Sequence, residues 1–127
     1  MEQGYLVELI CDTSFLIHLA TRRIKNIDKI DIEIGPITFV IPQVVLNEIS
    51  ELIKNPQKSQ EALATKNFIK NFKIISIIGN FADKELIDYV KKNRAIIGTM
   101  DKQLKKQVKE HGSSIISFSN DKMILEP

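Results

Sequence analysis

Four acids in this sequence stand where a carboxylate is either a helix cap or a ligand: Asp12, Glu48, Asp83 and Asp101. Asp12 ends the apolar run LVELIC and opens the amphipathic stretch TSFLIHLA, so it sits where a buried strand turns into a helix. Glu48 lies three residues after Val45 and four before Leu52, on the flank of an apolar helical arc, whereas Glu51 turns further out. A half-buried glutamate needs a partner. Asp83 precedes Leu86, Ile87 and Val90 by three, four and seven residues, which places it in the middle of that helix's apolar stripe, while Asp88 projects to the opposite face. Asp101 stands three before Leu104 and seven before Val108, and it follows Thr99, whose hydroxyl can orient a carboxylate.

Taken singly, Asp83 and Asp101 are explained as helix-start residues that accept backbone N–H bonds. Four acids at inward-facing or strand-end positions, with no basic residue on the same stripe, ask for more. Clustered carboxylates repel one another unless a cation lies among them. An all-oxygen donor set suits Mg²⁺ or Mn²⁺, and no His/Cys set in the chain suits zinc. His18 has no paired ligand on its helix and His111 sits at a helix end, so both are read as structural.

The elements that must position these acids follow from periodicity. The pattern predicts strands at Leu6–Cys11, Thr38–Pro42, Lys73–Ile78, Ala95–Thr99 and Ser114–Phe118. Helices are predicted over Thr13–Thr21, from Gln43 to about Lys54, from about Pro56 to Phe72, over Ala82–Asn93 and over Asp101–His111, the last ended by Gly112. Between Arg22 and Gly35 the spacing of Ile24, Ile27 and Ile30 fits a short helix and IDIEI alternates like a strand, so both readings stay open. Short Ile/Val-rich strands separated by helices predict an α/β fold, a three-layer sandwich with a central five-stranded parallel sheet flanked by helices, in a single domain of residues 1–127. Ligands bind such sheets beyond the carboxyl ends of the strands. Asp12 follows the first strand and Asp101 the fourth, at that same edge.

Composition bounds the partners. No apolar run approaches the roughly 18 residues of a membrane span and the N-terminus lacks a signal-like core, so a cytoplasmic protein without membrane contact is expected. Cys11 is the single cysteine and is read as a small buried strand residue. A net charge of +2 is too small to argue nucleic-acid binding from totals, but residues 91–109 carry Lys91, Lys92, Arg94, Lys102, Lys105, Lys106 and Lys109 against one acid, Asp101. That run is either a solvated helix face or a phosphate-contacting rim, in which Lys102, Lys105, Lys106 and Lys109 are the nucleic-acid-contact candidates. With 6% aromatics and no Trp, a base-stacking platform is not expected.

In the segments CDTSFLI, PQVVLNEISEL, FADKELIDYV and IIGTMDKQLKK the chain resembles the PIN-domain ribonucleases. Their pattern is a strand-end Asp-Thr-Ser or Asp-Thr-Asn, a helical Glu after the second strand, an Asp opening a later helix and Thr-x-Asp after the fourth strand. The resemblance runs over essentially the whole chain, in order. It implies that Asp12, Glu48, Asp83 and Asp101 form the catalytic, metal-holding set with Mg²⁺ or Mn²⁺, that Ser14 and Thr99 support them, and that RNA phosphodiesters are hydrolysed by metal-activated water. Many members follow the third acid with another; this chain has Lys84, which favours one ion over two. The family includes VapC-type toxins, archaeal-type RNA-processing endonucleases and non-cleaving scaffolds, so a cognate antitoxin, ribosome-assembly factors or a homodimer are the protein partners it implies. The scaffold reading is the alternative function, and the presence of all four acids counts against it. A receiver domain or a haloacid-dehalogenase phosphatase needs a second acid beside Asp12, where the chain has Thr13 and Ser14.

Overall fold

The structure, a computed structural model, describes residues 7–25 and 35–126. Its elements are β1 (Val7–Cys11), α1 (Thr13–Thr21), β2 (Ile37–Pro42), α2 (Gln43–Leu52), α3 (Ser59–Phe68), β3 (Lys73–Ile75), α4 (Ala82–Lys92), β4 (Ile96–Gly98), α5 (Lys102–Glu110), β5 (Ser114–Ser119) and β6 (Lys122–Glu126). They form one six-stranded sheet in the order β3-β2-β1-β4-β5-β6. The first five strands are parallel, and β6 runs antiparallel to β5. The undecided stretch falls mostly on residues 26–34, outside the described ones.

The order reverses at β1. The chain moves one way along the sheet to β2 and β3, then returns to β4 on the other side of β1, with Cys11 paired to Gly98 at the carboxyl ends. Right-handed crossovers therefore put α1, α2 and α3 on one face and α4 and α5 on the other. Most helix contacts agree, with α1 and α2 packed on α3 and α4 packed on α5, while α2 also meets α4 where Glu48 reaches the Ala82 N–H. Leu9, Cys11, Val40, Ile97, Ile115 and Ile116 fill the sheet, and Phe15, Leu16, Ile49, Leu86, Leu104 and Val108 close over it. A Cβ on Gly98 would meet the Phe15 ring at 3.0 Å, so a glycine at the end of β4 is what lets α1 lie this close to the switch point.

The sheet has one strand more than the periodicity predicts. β6 was missed because it buries only Met123 among Lys122, Ile124, Leu125 and Glu126. Its turn carries the signal: Asn120 and Asp121 both have positive φ, 50° and 64°, as a two-residue hairpin loop of the I′ kind requires. β3 is also shorter than predicted, because the chain leaves the sheet after Ile75 and the Ile77 N–H donates to the Ile75 carbonyl instead of a neighbouring strand. α3 starts at Ser59 instead of near Pro56, after a hydrogen-bonded turn over residues 55–58.

β6 brings Glu126 beneath α5, where Lys105 Nζ lies 3.2 Å and Lys109 Nζ 2.9 Å from its carboxylate and the Ser117 hydroxyl donates to it. The Ser117 and Lys109 hydrogen bonds outweigh partial burial and hold its pKa down to about 2. A carboxylate with a depressed folded-state pKa adds stability above its unfolded value and loses it as pH falls through the folded one. Because solvent screens these partly exposed pairs, Glu126→Gln is expected to cost about 1 kcal/mol at neutral pH, measured by urea unfolding. The gap between the two proteins should close as pH falls from about 4.5 toward 2. A pH-independent gap would assign the effect to packing rather than charge.

Candidate functional site

At the switch point a cavity of about 300 Å³ is lined by Asp12, Thr13, Ser14, Ile17, Glu48, Leu52, Lys58, Glu61, Ala82, Asp83 and Asp101. All four acids singled out from the sequence thus face one space, although they come from four separate segments.

Asp12 is the innermost, 4% exposed. It caps α1, accepting the Phe15 N–H (2.8 Å) and the Ser14 hydroxyl (2.9 Å) on Oδ1, and the Thr99 hydroxyl on Oδ2. Burial still prevails over these bonds and, with a smaller push from Asp83, raises its pKa to about 6. Ser14 and Thr99 each work in two directions. The Ser14 oxygen accepts the Met100 N–H at 3.1 Å and the Thr99 oxygen accepts the Asp101 N–H at 3.0 Å, so both hydroxyls tie the loop after β4 to Asp12.

Asp101 is the N-cap of α5, with one oxygen accepting the Gln103 and Leu104 N–H groups at 2.9 and 3.1 Å. The capping role suggested by the sequence is therefore fulfilled by Oδ1, and the carboxylate still borders the cavity. Glu48 finds the partner its half-buried position demands in Thr13, whose hydroxyl donates to Oε1 at 2.6 Å. Its other oxygen accepts the Ala82 N–H at 3.3 Å. α4 begins after Phe81, which has no side-chain oxygen to offer, so Glu48 supplies negative charge to that helix end from across the cleft.

Asp83 corrects the sequence reading. It is exposed at the cavity mouth, because the buried meridian of α4 runs through Ala82, Leu86 and Val90, one position round the helix. Desolvation at the mouth and then the charges of Asp101 and Glu48 raise its pKa. Asp88 lies on the outer face between Lys84 and Lys91, as expected.

None of the four acids is ion-paired among the described residues. Nor do any three His, Cys, Asp or Glu side chains among those residues close into a ready-made metal site. The donor chemistry nonetheless fits a divalent cation. It consists of carboxylate oxygens without counter-ions, two of them with raised pKa values, backed by hydroxyls.

None of Lys102, Lys105, Lys106 and Lys109 lines this cavity. Lys105 and Lys109 turn to Glu126, and Lys106 borders a separate hollow with Gln103, Gln107 and Glu110. Sequence reasoning missed Thr13, Lys58 and Glu61; Thr13 had a signal in its adjacency to Asp12, while Lys58 and Glu61 sit in polar sequence without one. A larger cavity of about 530 Å³ lies toward the opposite strand ends, between Glu8, Thr38, Tyr89 and Arg94, and none of the four acids lines it. His18 stacks on Phe118 with centroids 4.3 Å apart, far in role from the acids.

Against known proteins, residues 9–120 match the family described as PIN like domain. Ribonuclease VapC4 of Methanocaldococcus jannaschii is 28% identical, the match covering 87% of this chain and 89% of that protein. The PIN domain endonuclease Utp24 superposes with a TM-score of 0.72 at 21% identity, over 94% of this chain and 90% of that one, which speaks for the fold alone. The family match takes in all four acids and, with β1 from Leu9 on, every strand but β6. This chain belongs to the family of PIN-like domains.

Proposed function

We propose that this protein is a divalent-metal-dependent endoribonuclease in which Asp12, Glu48, Asp83 and Asp101 hold one Mg²⁺ or Mn²⁺. The observation that carries this is the meeting of four unpaired carboxylates in one cavity at the switch point of a parallel sheet. The similarity to a protein named a ribonuclease supports RNA as the substrate class. A bound divalent ion supplies a lowered water pKa and neutralises charge growing on a phosphodiester's oxygens.

The chain's own residues divide the work. Thr99, Ser14 and the N-terminus of α1 fix Asp12, and Thr13 with the N-terminus of α4 fixes Glu48, so the two inner carboxylates are pre-positioned. Asp83 and Asp101 stand at the rim and complete the set from outside. Lys84, which replaces a further acid of the family pattern, bonds Asp88 at 3.0 Å on the outer face, so it neither adds to nor blocks the donors. Among the described residues, five acids with Glu61 and a single lysine line the cavity, which favours a bound cation over a bare site.

The test is cleavage of single-stranded RNA with Mg²⁺ or Mn²⁺, with EDTA removal and re-addition. Cleavage that survives EDTA, or that persists in Asp12→Asn, would overturn this reading. Within it, the relative's name favours a VapC-type role with a cognate antitoxin as protein partner, over ribosome assembly. A small gene directly upstream whose product binds this chain is the expected finding. No described helix is long and apolar enough to cross a membrane.

A further inference from the structure

We infer that Lys58 is the residue that holds a substrate phosphate in this cleft, an assignment that rests on the ribonuclease reading. Lys58 is the single Lys or Arg among the described residues lining the acid cavity. Several other lysines are spent on carboxylates elsewhere: Lys54 on Glu51, Lys84 and Lys91 on Asp88, Lys105 and Lys109 on Glu126. The Lys58 ammonium has no such partner among the described residues, although carboxylates line the same cavity.

Its backbone, by contrast, is fixed. The Lys58 N–H donates to the Asn55 carbonyl at 3.0 Å, and the Lys58 carbonyl accepts the Ala62 N–H at 3.0 Å as α3 begins. The side chain is therefore anchored at its base and free at its head. A cavity with five carboxylates stays negative after one divalent ion binds, so a phosphodiester meets net repulsion unless a cation stands on the wall. Lys58 stands there, just before α3 begins.

The experiment compares the native chain with Lys58→Gln, Lys58→Arg and Glu61→Gln. Steady-state cleavage of a ten-nucleotide single-stranded RNA in Mn²⁺ should show KM raised about tenfold by Lys58→Gln with kcat within about twofold, and largely restored by Lys58→Arg. Binding of the same RNA in an Asp101→Asn background should lose about 0.7 from the slope of log K against log salt on Lys58→Gln, the contribution of one phosphate contact to a single strand. Glu61→Gln should shift affinity the other way. Unchanged KM and slope in a chain whose native form cleaves RNA would overturn the inference and leave the ribonuclease reading standing. So would a Lys58→Gln protein that merely melts lower without metal while keeping its slope, which would make Lys58 only a counter-charge to the acids. If the native chain neither binds nor cleaves RNA, both fall.

Discussion

Asp12→Asn, Glu48→Gln, Asp83→Asn and Asp101→Asn are each expected to lower metal-dependent RNA cleavage by on the order of 10²–10⁴-fold, because each removes charge that the shared ion needs. The losses should not add, since a site missing one ligand has little left to lose. Asp88→Asn is the control. Its carboxylate lies on the outer face of α4 with Lys84 and Lys91, and cleavage should stay within about twofold. Asp12→Asn carries a second expectation. Burial raises the Asp12 pKa to about 6, so the folded state pays progressively for ionising it as pH rises from its ordinary value of 3.8 through 6. The amide can still cap α1 through its oxygen. The metal-free variant should thus be as stable as the native protein or more so at pH 7–8, while inactive. Equal damage from Asp88→Asn and Asp83→Asn would remove the basis for assigning the cavity residues.

Mn²⁺ or Mg²⁺ is expected to raise the melting temperature by on the order of 10 °C at about a hundred times its Kd, as for any ligand that binds only the folded state of a domain this size. Zinc is not expected to be specifically required. The rise should shrink as pH falls through about 6, where protons compete for Asp12. It should also be lost in Asp12→Asn and kept in Asp88→Asn. Calorimetry or dye-monitored melting of the EDTA-treated protein, with and without millimolar Mn²⁺ at pH 5 and pH 8, reads all of this. An unchanged melting temperature at pH 8 would count decisively against a metal site and would favour a non-cleaving scaffold.

The sequence alone determined the order of the first five strands and the helices between them, because a buried parallel strand and an amphipathic helix write their periods into adjacent residues. Asp12 and Asp101 were legible for the same reason: each marks the residue where a strand's apolar run stops and a helix begins, and both cap the helices that follow. Glu48 was legible as a half-buried acid in want of a partner, but not its partner. Thr13 is 35 positions away and reaches Glu48 only because β1 and β2 are neighbours in the sheet. Asp83 was found by a face argument that was one position off, since helical spacing fixes relative angles and not which meridian the core will cover.

Tertiary structure decided the fate of the charges. Lys105 and Lys109 share a stripe in the sequence, yet it is β6, a strand with one buried residue and hence almost no apolar period, that folds back to place Glu126 against them. Lys58 has no periodic neighbours to mark it and enters the site through the packing of α3 on α1 and α2. Local periodicity records what a residue's own element buries. Which charges meet depends on contacts between elements far apart in the chain, and only the folded sheet sets those distances.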